Sequence, residues 1–294
     1  MLDYEDVKPK PYVLEEKILR NAINEEEFIQ ASYKVLKETM IYLIIMSEQV
    51  MVNTQREASG RERNEAILIG LLRRICRISK GFFAEIVNRR MDTSFILGRS
   101  ISESAINLMF LIKKNNSDLF EEYVIYSLRH EKKLLNLIKE NINKRGKILP
   151  IEKRMIKSIE QTFTNSLIDP SSIDVKNYKT WGDSIYNRFK ELELIAVYQI
   201  IFGGWSNNVH GNWQDLLFND LEYSDGLYNL KEKSQRVRPQ PLIAIAILLQ
   251  YTGKIYCLNK FPESKESEDI VKRLDELTIL TNKIDDLHEE FINK

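Results

Sequence analysis

The stretch "DTSFILGRSISESAINLMFLIKK", residues 92–114, decides the fold class. Its apolar residues recur every three or four positions, the spacing of one helix face, over a run far longer than a strand. Arg99, Glu103, Ile106 and Phe110 are spaced i, i+4, i+7, i+11, so at about 100° per residue they share one stripe. A charged pair is thereby written onto an apolar face. Arg before Glu is the less favourable order for a pair on a solvated helix surface, and a charge taken out of water without partners is strongly destabilising. Arg99 and Glu103 are therefore expected to be buried, to engage each other and to engage a further group across the core.

Outward from this helix the same period continues over nearly the whole chain. No period-two segment bounded by tight-turn dipeptides stands out, so the class is all-α: a multi-helix bundle with long antiparallel helices. A helical region starts near residue 13, breaks near Asn24 and ends in the polar "NTQREASGRER", with Gly60 as the next break. Helices are expected over about residues 65–89, from an N-cap at Asp92, and from an N-cap at Ser117 to near Gly146. Residues 147–180 read as a less regular insertion, with a helix near 152–163 and a loop at Pro170. From Trp181 there follow a short helix, a helix through "ELELIAVYQIIFGGW", a polar loop over residues 219–241, a helix from Leu242, and a last helix near 266–292. Residues 1–60 form an N-terminal helical region packing on a core of residues 61–294, in one globular unit.

The chain has 294 residues, with 43 Lys plus Arg against 43 Asp plus Glu, so any nucleic acid must be held by a local patch. Such a concentration exists at Arg73, Arg74, Arg77 and Lys80, partly balanced by Glu62, Glu65 and Glu85, and it is suited to RNA phosphates. Cys76 and Cys257 lie far apart in apolar helical patterns, which points to a reducing cytoplasm and not to a disulfide framework. "MLDYEDVKPKPY" lacks the basic start and apolar run of a secretory signal. The most apolar run, residues 242–258, is cut by Gln250 and Lys254 and falls short of the roughly 20 residues that cross a bilayer. It reads as a buried core helix, with no membrane partner. The phosphate-binding loop, the dinucleotide fingerprint and the zinc-protease and nucleophile-elbow motifs are all missing, and "DDLH" at 285–288 has ligand spacing but no second copy. Neither a cofactor nor a metal is expected.

Three further groups of residues are candidates. In "FGGWSNNVHGNW", residues 202–213, Tyr198, Phe202, Trp205 and Val209 continue a core stripe. Gly203 and Gly204 suggest close approach of another backbone or a bend. Gly211 is placed to end the helix, leaving His210 at a C-terminus, where it is an acid, base or phosphate partner. On the helix after Ser117, the stripe Tyr123, Ser127, His130 and Leu134 sets His130 on or near the packed face, with Tyr126 and Arg129 beside it, placed to line a polar pocket facing Arg99.

The succession "AEIVNRRMDTSFILGRSISESAINLMFLIKK", "YVIYSLRHEKK", "WGDSIYNRF" and "YQIIFGGWSNNVHG" resembles a bacterial all-helical family catalogued as a domain of unknown function. Its elements are an R-S-x-x-E helix, a Y-x-x-Y helix, a Trp-led short helix and a helix ending in S-x-x-V-H-G, over about residues 67–213. The resemblance singles out Arg99, Glu103, Tyr123, Tyr126, Trp181, Tyr198, Ser206, His210 and Gly211. More loosely, the chain is similar to the HEPN ribonucleases of toxin–antitoxin and phage-defence loci. These place an Arg four to six residues before a His, and this chain has no Arg in that window before any of its three histidines. The looser resemblance implies a cytoplasmic, metal-independent endoribonuclease. In it His210 is acid or base, Arg99 stabilises the phosphorane, Glu103 orients Arg99, Asn207 or Asn208 contacts phosphate, and Ser206 is a further binding residue. Tyr123, Tyr126, Arg129, His130 and Trp181 would line the binding surface. The alternative is a non-catalytic sensor or adaptor for a small ligand or a partner protein of the same locus, with the polar residues as a core network. A homodimer is expected in either case.

Overall fold

The computed structural model describes residues 4–48, 60–177, 179–231 and 237–294. In chain order the helices are α1 (Tyr4–Val7), α2 (Glu16–Arg20), α3 (Glu26–Ser47), α4 (Arg63–Val87), α5 (Met91–Lys114), α6 (Ser117–Arg145) and α7 (Pro150–Ser166). There follow α8 (Ile185–Glu191), α9 (Ile195–Val197), α10 (Ser206–His210), α11 (Trp213–Asn219), the strands β1 (Leu221–Ser224) and β2 (Leu227–Leu230), α12 (Gln240–Lys260) and α13 (Lys265–Ile292). The all-α bundle read from the sequence is the observed class.

One apolar cluster joins α3, α4, α5, α12 and α13, with Phe28, Leu72, Ile106, Met109, Leu249 and Leu277 among its members. α12 is apolar nearly all round because it lies between α3, α5 and α13. By length and composition α5 and α12 could each cross a membrane, and 61% and 67% of their most apolar windows are buried inside the bundle. α6 joins this cluster at its start through Phe120 and then departs from it. Its Leu128, Leu135 and Ile138 pack on Ile159 and Phe163 of α7 and on Ile168 and Ile173 as a second apolar cluster. Within the 147–180 insertion, α7 is a regular helix: Pro150 is preorganised for its first turn, and the Leu149 amide donates to Glu152 Oε2 at 2.8 Å.

Several boundaries differ from the sequence reading. Asp92 lies inside the first turn of α5, after Arg90 as N-cap. Ser117 is the first residue of α6, and Asn116 caps it, its Oδ1 accepting from the Asp118 amide at 2.8 Å. Left-handed Asn115 (φ 42°) closes α5, which leaves Asn116 as the one residue able to cap the next helix. The run through "ELELIAVYQIIFGGW" is interrupted by Glu193 at φ 60° and then by a π-helical segment, Tyr198–Gly203. The polar loop at 219–241 contains a β-hairpin, turned by Asp225 and Gly226 at φ 51° and 82°, the two positive values of a type I′ turn. Strands of four residues are too short to show a period, and the Asp-Gly dipeptide was their signal.

Candidate functional site

α8 places Ile185, Arg188 and Leu192 at i, i+3 and i+7, so an arginine stands on an apolar stripe. Arg188 is 3% exposed, and its guanidinium stacks 3.6 Å from the Trp181 ring centroid. Its Nε donates to the Asp183 carbonyl at 3.0 Å, and Nη1 to Asn107 Oδ1 at 2.7 Å. Its Nη2 donates to Thr180 Oγ1 at 3.1 Å and the Trp181 carbonyl at 2.8 Å. All four acceptors are neutral. Burial pushes the Arg188 guanidinium down to about 10, and the field of Glu103 opposes this most.

Glu103 is the carboxylate that α5 brings to this cation. It approaches Arg99 Nη1 at 3.7 Å, and the Arg99 guanidinium lies 4.3 Å from the Phe202 ring centroid. The expected pair and its third partner are thus present. The expected burial of Glu103 is not: its side chain is 48% exposed, because the stripe runs along the bundle's edge and is sealed at Ile106 and Phe110. Arg99 Nε is buried without a hydrogen-bond partner among the described residues. From α4, Arg74 Nε donates to Ser104 Oγ at 3.2 Å. Tyr123 stands edge-on to Trp181 at 5.0 Å, and burial raises its phenol against the opposing fields of Arg74 and Arg188. Arg99 thus pairs with Glu103, the field of Glu103 reaches Arg188 and Tyr123, and the fields of Arg74 and Arg188 also reach Tyr123, beside the rings of Phe202 and Trp181.

The Y-x-x-Y helix supports this cluster from outside. Arg129 stacks 5.1 Å from the Tyr126 ring centroid and donates to the Lys179 carbonyl, holding the segment that leads to Trp181. Glu122 Oε2 accepts from the Gly182 amide at 2.8 Å. His130 is exposed, which corrects its expected place on the packed face: α6 turns Leu128, Leu135 and Ile138 inward toward α7 instead.

The second group forms a separate arrangement. Val209 and His210 are exposed, so the core stripe of this segment ends at Trp205. Gly211 at φ 56° closes α10 as expected, and His210 makes no hydrogen bond or ion pair among the described residues. Asn207 is occupied on both sides, donating to Gln214 Oε1 at 2.9 Å and accepting from Asn212 at 2.6 Å. Asn208 donates to Asp215 Oδ1 at 2.7 Å. These amides tie α10 to α11. Gly204 serves the π segment itself, since a Cβ there would meet the Ile200 carbonyl at 2.5 Å. A close approach of a side chain occurs at Gly98, where a Cβ would lie 2.1 Å from the Trp205 ring. Cavities of about 330 and 280 Å³ share Phe95, Ile200, Trp205 and Phe218, the second bordered by Asn207 and Asn208. A larger one of about 450 Å³ lies elsewhere, between Gln30, Tyr33 and Arg89.

On α4, Arg73 pairs with Glu48 at 2.7 Å, whereas exposed Arg77 and Lys80 make no hydrogen bond or ion pair among the described residues. His288 is buried, 3.2 Å from both Gln240 Nε2 and Glu25 Oε1, so "DDLH" joins α13 to the starts of α12 and α3. Among the described residues no three His, Cys, Asp or Glu side chains form a metal-ligand group. The sequence reading missed Arg188 and Asn107. The signal for Arg188 was the one that exposed Arg99, a charge on an apolar stripe.

Comparison with known proteins places this region in a wider group. A family model described as "Family of unknown function (DUF5677)" matches residues 65–226, a span containing the whole arginine cluster, the Y-x-x-Y helix and α10. No curated protein and no solved structure matches the chain.

Proposed function

The chain belongs to the DUF5677 family of unknown function, and from that premise we propose that it is a cytoplasmic recognition protein for a phosphate-bearing nucleotide moiety. One observation carries this reading: Arg99 contacts half-exposed Glu103, and the fields of Arg74, Arg188 and Glu103 all reach the Tyr123 phenol, so three arginines share one region of a chain of zero net charge. Arginine forks match phosphate oxygens, and aromatic walls suit a base or ribose beside them. Glu103 acts as the exchangeable counter-ion, so a phosphate competes with it for Arg99. Exposed Tyr126 offers the ring face at the mouth of the site. The moiety is carried by a free nucleotide or by a strand of RNA, for which Arg77 and Lys80 extend the basic surface.

A metal-independent ribonuclease is the second reading, favoured by exposed His210 at the C-terminus of α10, which makes no hydrogen bond or ion pair among the described residues. In it His210 is general acid or base and Arg99 stabilises the developing phosphorane charge.

The test is to titrate wild type, Arg188→Met, Arg99→Ala and His210→Ala with ATP and with a labelled short RNA, scoring binding and cleavage. Binding of either probe that falls more than tenfold in Arg188→Met and Arg99→Ala, with His210→Ala unchanged, supports recognition, and the better probe identifies the source. RNA cleavage lost in His210→Ala while its fold is kept supports the second reading. Wild type that neither binds nor cleaves either probe overturns both.

A further inference from the structure

The hairpin that the sequence reading overlooked has a side built for covering. The register pairs Leu221 with Leu230 and Tyr223 with Tyr228, and Glu222 with Asn229 and Ser224 with Leu227. Because successive strand residues alternate between faces, one face carries Leu221, Tyr223, Tyr228 and Leu230 and the other is mainly polar. Trp213 of α11 joins the apolar face, edge-on to Tyr228 at 5.2 Å, and Tyr223 lies 5.0 Å from Tyr228. In a folded protein this face belongs inward. Here it points to solvent: Tyr223 is 61% and Leu230 81% exposed, Trp213 and Tyr228 are each 53% exposed, and none belongs to either apolar cluster.

We infer that this face is a homodimer interface, in which the hairpins of two copies pack their apolar faces together about a two-fold axis. The inference is independent of the ligand reading. A two-stranded hairpin is marginal alone and gains stability from a covered apolar face. With about 150–250 Å² for each aromatic side chain, the exposed parts of these four side chains come to roughly 500 Å² per copy. With all of that surface covered, two copies would bury about 1,000 Å², the lower bound for a biological interface. Self-association needs a patch free of like-charge clashes, and no Asp, Glu, Lys or Arg stands among the residues of the apolar face. The single strand carboxylate, Glu222, is on the opposite face. Strand β2 itself, "LYNL", carries none of the charges or prolines that guard solvent-exposed strands, which is consistent with a strand that is covered in solution.

The experiment is sedimentation equilibrium of the full chain at micromolar concentrations, beside a Tyr228→Asp, Leu230→Asp double variant and mild oxidation of two variants with one introduced cysteine each. Cys76 and Cys257 are buried, so an introduced thiol reports its own neighbours. Expected are a wild-type dimer, a monomeric double variant with unchanged helical circular dichroism, and cross-linking of Tyr228→Cys but not of Asn229→Cys on the polar face. If the double variant loses its helical signal, the two cysteine variants decide alone. A monomeric wild type at 100 μM (chosen as on the order of a hundred times a micromolar Kd), a double variant that stays dimeric, or cross-linking of Asn229→Cys in preference to Tyr228→Cys would overturn the inference.

Discussion

Arg273 and Arg188 are both guanidinium groups taken out of water, and their surroundings are opposite. Arg273 on α13 meets Glu38 of α3 through two bonds of 2.7 and 3.0 Å, with Glu276 at 2.8 Å and the Tyr12 carbonyl at 2.9 Å. Burial works against its charge, and the two carboxylates outweigh burial, holding Arg273 above the ordinary arginine value. Arg188 meets neutral acceptors, and burial prevails. The first region is electrostatically closed, its charges satisfied within the chain, and it fastens the N-terminal segment and α3 to α13. In the second, the buried guanidinium is bonded only to neutral groups, and half-exposed Glu103 is the carboxylate whose field opposes burial most. On the reading proposed above, that difference gives a structural role to one and a recognition role to the other.

Replacing each arginine by methionine breaks the comparison in its most sensitive place. Arg273→Met leaves Glu38 buried and unpaired, and the expected loss is ~3–5 kcal/mol in denaturant unfolding. Arg188→Met removes a desolvated charge that has no buried carboxylate to strand, so only its neutral acceptors lose partners. Its expected loss is smaller, ~1–3 kcal/mol, with nucleotide binding abolished. Equal losses at the two positions would erase the distinction.

Glu103→Gln sharpens it further. Removing a half-exposed partner costs at most ~1 kcal/mol, whereas phosphate affinity should rise because Arg99 loses its competing carboxylate. Titration calorimetry checks the sign, and an affinity that falls would make Glu103 a ligand contact instead of a counter-ion.

The smallest effect belongs to Tyr42→Phe, next to the closed network. The Tyr42 hydroxyl is buried without a hydrogen-bond partner among the described residues, and burial pushes the phenol up to about 12. A phenol raised in the folded state favours folding below pH 10 and loses that contribution as the pH rises from 10 through about 12. Tyr42→Phe should therefore change stability at pH 7 by less than about 1 kcal/mol, and should lose less than wild type between pH 10 and 12. Thermal unfolding at pH 7, 10 and 11 measures both, and parallel losses in the two proteins would remove Tyr42 as a source.

Much of this was legible in the chain. Long helices such as α5 and α13 are visible because their apolar period repeats many times, and the Arg99–Glu103 pair because it interrupts that period. Gly211 was readable as a helix end because a left-handed position there favours glycine. Illegible were the features whose evidence is short or nonlocal. α8 has seven residues, so the stripe that carries Arg188 passes within two turns. His130 was misplaced because which stripe of α6 faces inward depends on α7, not on α6.

By itself the sequence determined the class, the helical bundle, the position of most helices and the fact that charge enters an apolar face on α5. These are periodic, local properties, set by the 3.6-residue turn and by the expulsion of apolar side chains from water. Only the tertiary structure decided which charges are satisfied. It closed Arg273 with Glu38, 235 positions away, and left Arg188 on neutral acceptors beside Glu103. Desolvation and Coulomb energy depend on what surrounds a group in space, and that is fixed only when the helices pack.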